Sequence, residues 1–132
     1  MLIDRLLNQG GGPALEQLLR FTSARHQSIA ENVVNISTPG YRQKDLSLAK
    51  FQTALAERVD EARQTAPGAA SFDDLSAEVE DSQRGYLFHD GQNRSMEQLM
   101  SEQAKNALMH NLAIELLRRQ FQTLQMAIKL QP

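Results

Sequence analysis

Three histidines are the first residues whose chemistry could matter, because an imidazole can hold a metal or move a proton near neutral pH. His26, His89 and His110 lie far apart, and no HxxxH, HExxH or clustered carboxylate set accompanies any of them. They read as interfacial or solvated side chains. The run "FDDLSAEVED" brings Asp73, Asp74, Glu78, Glu80 and Asp81 together, and clustered carboxylates can hold calcium. It lacks the alternating acids and the glycine that bend such a loop around an ion, so it reads as a solvated acidic surface. No G-x-S-x-G elbow exposes a serine, and the "GGG" of residues 10–12 has neither a strand before it nor a lysine after it to cradle phosphate. With no cysteine in the chain, thiolate catalysis, thiolate metal sites and disulfides are excluded. No catalytic residue, cofactor or metal is expected.

The elements themselves therefore carry the information. The chain has 132 residues, 41% of them hydrophobic and only 5% aromatic, with no tryptophan. Leu, Ile, Val, Met and Ala at helical spacing suit helix packed on helix better than a sandwich or barrel, so the fold class is all-α. The net charge is -2. Between Glu57 and Asp90 nine acids face three arginines, while the segments on either side each sum to about plus two. Basic residues spread this thinly among acids exclude a clustered phosphate-binding face, so no nucleic-acid partner is expected. No apolar run approaches the roughly 18 residues of a membrane span, and "MLIDRLLNQGGGP" lacks an apolar core of secretory length. Neither a membrane span nor a cleaved signal is expected.

Pro13 suits the first turn of a helix on which Leu15, Leu18, Thr22, His26, Ile29, Val33 and Ile36 share a stripe. Pro39 disfavours the α conformation at Thr38, which ends that helix near Ser37, and Pro-Gly is the sequence of a type II turn with Gly40 at positive φ. Asn32 and Asn35 can serve as C-terminal caps or as register-setting interface groups, and Tyr41 can cover the end of its own helix. From Asp45 onward, Leu48, Phe51, Leu55 and Val59 mark a second helix that stops before "TAPGAAS". The middle beyond it reads as loop or extended chain, with a short hairpin at Gly85 to Gly91.

The strongest pattern runs from Arg94 to Leu130. Met96, Met100, Gln103, Ala107, His110, Ile114, Leu117, Phe121, Leu124 and Ile128 alternate four and three residues apart, with Ser95 and Gln98 placed as a capping box. Such a helix is about 55 Å long at 1.5 Å per residue. An N-terminal helix of some 24 residues covers only part of it, so apolar surface is left for neighbouring copies. The chain thus divides into an N-terminal helix at 1–37, a turn, second helix and variable middle at 38–93, and a long C-terminal helix at 94–132.

"AENVVNISTPGYRQKDLSLAKF", residues 30–51, resembles the N-terminal motif of bacterial flagellar axial proteins, the family of rod, hook and hook-associated subunits. That motif runs approximately A-N-N-x-A-N-x-x-T-P-G-Y. Ala30, Asn32, Asn35, Thr38, Pro39, Gly40 and Tyr41 match it, while Glu31 stands in place of the usual Asn and Val34 in place of the usual Ala. The later "HDGQNRSMEQLMSEQAKNALMHNLAIELL" is similar to the short basal-body rod subunits, which place a comparable turn before a long C-terminal helix.

The resemblance implies a non-enzymatic structural subunit of the proximal rod. In that family the N- and C-terminal helices pair as an elongated coiled-coil inner domain stacked around a channel. The implied interface is Leu18, Ile29 and Val33 with Met100, Ala107, Ile114, Leu117, Phe121, Leu124 and Ile128, and Asn32, Asn35, Thr38, Pro39, Gly40 and Tyr41 form the corner that redirects the chain. The implied partners are further copies, neighbouring rod subunits, the MS-ring with its rod adaptor, and the flagellar type III export apparatus. The implied location is the rod in the cell envelope, reached without a cleaved signal. A cytoplasmic helical adaptor or export chaperone holding one partner helix in a groove is the competing expectation.

Overall fold

The computed structural model describes residues 11–66, 71, 72, 75 and 95–130. His89, the expected hairpin and the carboxylates of the acidic run lie outside the described residues. Three helices make up the described chain: α1 at Gly12–Val34, α2 at Leu48–Gln64 and α3 at Met96–Lys129. The fold is all-α, and no strand occurs among the described residues.

Local chemistry sets the helix ends. Pro13 sits in the first turn of α1, where its missing N–H leaves no hydrogen bond unmade. The helix stops at Val34, with Asn35 as its C-cap, three residues ahead of the expected Ser37. Ser47 caps α2 by accepting from the Lys50 amide at 3.3 Å. Ser95 opens α3 with the reciprocal box: its hydroxyl accepts from the Gln98 amide, and the Gln98 side chain accepts from the Ser95 amide.

α1 and α3 run antiparallel. Gly12 lies beside Gln120, Thr22 meets Asn106 and His110, and His26 meets Gln103, so partner numbers fall on α3 as they rise on α1. α2 leans on α1 through the stacked rings of Phe21 and Phe51, whose centroids are 4.1 Å apart. Leu15, Leu18, Phe21, Phe51, Leu55, Val59, Leu75 and Leu116 form the centre of the core, with Met109 and Leu117 half-buried against it. Of the expected apolar positions of α2, the fold buries Phe51, Leu55 and Val59 and half-buries Leu48.

On α3 the face turned toward α1 differs from the seam that periodicity selects. Leu99, Asn106, Ala113 and Leu116 are buried, whereas Met96, Met100, Ile114, Phe121, Leu124 and Ile128 are exposed within the chain. The buried line Leu99, Asn106, Ala113 runs one residue ahead of the apolar line Met100, Ala107, Ile114. The reason lies on the other helix: α1 presents the Thr22 carbonyl to Asn106 and the buried Arg25 to Glu102, and polar groups require polar partners. Apolarity alone therefore selects the wrong neighbour for this contact.

Because Leu55 is wholly buried, Leu55→Ala should lower stability by about 2–4 kcal/mol, the cost of lost transfer plus a cavity. Leu124→Ala, on the exposed stretch, should stay within about 0.5 kcal/mol of wild type. Urea unfolding of dilute protein measures both.

Candidate functional site

The corner after α1 is built around one amide. Asn32 is fully buried; its Nδ2 donates to the Lys44 carbonyl at 2.5 Å and its Oδ1 accepts from the Lys44 amide at 2.9 Å. This two-point pairing satisfies both backbone groups of Lys44, as a neighbouring strand would. Ser28 adds a second donor to the same carbonyl at 3.0 Å, and the Tyr41 hydroxyl donates to Asn32 Oδ1 at 3.3 Å. The segment leaving the turn is thereby tied back along α1.

Between these anchors the chain reverses at Thr38–Pro39–Gly40–Tyr41. The Tyr41 amide donates to the Thr38 carbonyl at 3.2 Å and Gly40 has φ 75°, the features of the expected type II turn. A Cβ on Gly40 would meet no atom within 4 Å, so the requirement for glycine is conformational rather than steric. Asn35 does a separate job. Its backbone N–H and its Nδ2 both donate to the Glu31 carbonyl, capping the end of α1. Of the two roles open to the asparagines, Asn35 takes the cap and Asn32 takes the tertiary tie.

A buried cation secures the next step. Arg25 bonds Asp45 through Nε at 3.1 Å and Nη2 at 3.4 Å, and its Nη2 lies 3.7 Å from Glu102. One guanidinium thus links α1, the segment after the corner and α3. Losing the guanidinium would leave both carboxylates without it, whereas losing one carboxylate leaves Arg25 paired with the other. The Tyr41 hydroxyl is held protonated above its usual range, first by desolvation and then by the negative charge of Glu31.

The remaining expected interface residues fall into two groups. Leu18 and Ile29 are buried in α1, while Val33, Ala107 and Leu117 are half-buried. Met100, Ile114, Phe121, Leu124 and Ile128 remain on the surface; Phe121 is 58% exposed, Leu124 54% and Ile128 72%. These last three lie beyond Gln120, which faces the first turn of α1. The corner and the uncovered end of α3 therefore sit at opposite ends of the helix pair. Among the described residues no group of three or more His, Asp or Glu could hold a metal. His26 pairs with Gln103 and His110 with Thr22, at 2.6 and 2.7 Å, so both bridge α1 and α3. No helix among the described residues is long and apolar enough to cross a membrane.

Comparison with protein-family models, curated proteins and solved structures found no match. The geometry alone therefore carries the functional argument. Sequence reasoning passed over Ser28, Lys44, Arg25, Asp45, Glu102 and Asn106. Arg25 and Asn32 had a signal, since both continue the stripe of Leu18, Thr22 and Ile29 at three- and four-residue steps.

Asn32→Asp replaces the donor facing the Lys44 carbonyl with a second acceptor and should cost about 2–3 kcal/mol, measured by urea unfolding. Asn35→Ala, at the half-exposed cap, should cost about 1 kcal/mol or less. Gly40→Val forces a β-branched residue to positive φ and should cost about 1–3 kcal/mol, against little change for Thr38→Ser. Equal stability of the latter two variants would refute the turn. A tyrosine whose folded pKa exceeds its unfolded value of 10.0 contributes stability below pH 10 that is lost as pH climbs through the folded value. Alkaline unfolding monitored by circular dichroism should therefore begin later for Tyr41→Phe than for wild type.

Proposed function

We propose that this chain is a structural, non-enzymatic subunit of the proximal rod of the bacterial flagellum, of the FlgB kind or the closely related FlgC kind. The observation that carries the reading is the exposed apolar end of α3: Phe121, Leu124 and Ile128 continue the helix past the described residues of α1. Leaving large apolar side chains in water is unfavourable by about 1.5–3 kcal/mol each relative to full burial, so such a stripe suits a chain whose helices are completed by neighbours. The Thr-Pro-Gly-Tyr corner supports the same reading, because a fixed exit direction from α1 repeats the same geometry in every copy. In this reading the neighbours are further copies and other rod subunits, with the MS-ring and rod adaptor at the base. The subunit reaches the cell envelope through the type III export apparatus.

The rival adaptor or chaperone would hold one foreign helix in a groove and fold without further copies. Helicity that rises with protein concentration suits the rod reading; helicity independent of concentration suits the adaptor.

Phe121→Asp is the direct test, since the side chain is exposed in the single chain and its replacement should leave urea stability within about 0.5 kcal/mol of wild type. In a strain lacking the protein, the variant should fail to restore swimming, and purified basal bodies should lack it. Full motility with the variant incorporated would overturn the assignment of this stripe to assembly.

A further inference from the structure

α3 carries two candidate faces one residue step apart, roughly 100° around the helix. One is mixed: Leu99, Asn106, Ala113 and Gln120, with Glu102 beside it. The other is Met100, Ala107, Ile114 and Phe121, with no polar member. Burial of apolar area alone would turn the second face toward α1. The fold turns the first, half-buries Ala107 and leaves Met100, Ile114 and Phe121 exposed.

Two contacts distinguish the faces. Asn106 is 2% exposed and its Nδ2 donates to the Thr22 carbonyl at 2.8 Å across the pair. Glu102 lies 3.7 Å from the buried Arg25 guanidinium. Gln103 and His110 lie between the two faces by helical spacing, so their bonds to His26 and Thr22 do not discriminate. With α3 turned by one step, Ala107 and Ile114 would replace Asn106 and Ala113, and Arg25 would lose its α3 partner.

We infer that Asn106 and Glu102 are specificity-determining residues: they hold α3 in the orientation that keeps its wholly apolar face out of the intramolecular contact and available to other chains. A buried amide that sets helix register against a more apolar alternative has the same physical basis. This inference rests on the proposed function only for what the free face is for. The orientation itself belongs to the single chain.

The absence of cysteine makes a clean test. Ile114→Cys and Ala113→Cys are prepared singly and labelled with a maleimide in dilute protein, where no assembly occurs. With Asn106 present, Ile114→Cys should react fast and Ala113→Cys slowly. Adding Asn106→Leu should slow the first and speed the second, each on the order of ten-fold, as protection passes from one face to the other. Glu102→Leu should act in the same direction. Unchanged rates in both backgrounds would overturn the proposal. Loss of helicity in both variants would also overturn it, because the polar pair would then support the fold rather than choose its face. Labelling of the monomer is independent of motility, so a failure here and a failure of the rod assignment remain distinguishable.

Discussion

A mismatch of length governs this molecule. α1 has 23 residues and α3 has 34, and Gly12 lies beside Gln120, so among the described residues α3 runs past α1 from Phe121 to Lys129, about 13 Å of helix. An isolated helix end is marginal in water, because propagation alone barely outweighs fraying. The overhang therefore needs a second surface to be firmly ordered. The compact part of the fold, by contrast, gathers where α1, α2 and the middle of α3 overlap, around Phe21, Phe51, Leu55 and Leu116.

Polar side chains are buried among the apolar ones of these helices. Thr22, Arg25 and Asn32 are buried on α1, and Asn106 is buried on α3. Each makes a bond to another element or, at Thr22, to its own preceding turn as well. Net stabilisation from such bonds is modest, since folding exchanges water partners for protein ones. Their effect is directional: Asn106 Nδ2 and the Arg25 guanidinium find their acceptors in this arrangement, although Asn106 Oδ1 is buried without a partner among the described residues. The apolar core holds the helices together, and the polar line decides how they are turned.

How much of this was legible in the sequence follows from how local each cause is. Pro39 and Gly40 constrain their own backbone, so the corner was readable from four letters. The ends of α3 were readable too, because Ser95 and Gln98 form a box within one turn. α2 gave up its buried face through the spacing of Phe51, Leu55 and Val59. Asn32 was ambiguous between cap and tie, since the answer depends on Lys44, a residue in another segment. The seam residues Gln103, His110 and Leu117 do lie toward α1 or the core, but that the centre of the inward face falls on Leu99, Asn106 and Ala113 was not legible, for the same reason. Its choice is made by Thr22 and Arg25 on a distant helix, and periodicity within α3 contains no information about them.

The spacing of these contacts along the chain has a kinetic side. Asn32 and Lys44 are 12 residues apart and Arg25 and Asp45 are 20 apart, whereas Thr22 and His110 are separated by 88. Closing the longest of these loops costs roughly 2 kcal/mol more chain entropy than closing the shortest. Loop entropy alone therefore favours closure of α1, the corner and the returning segment before the docking of α3. A helix that is last to find its place within its own chain is also the one most open to competition from a neighbour during the interval before it docks.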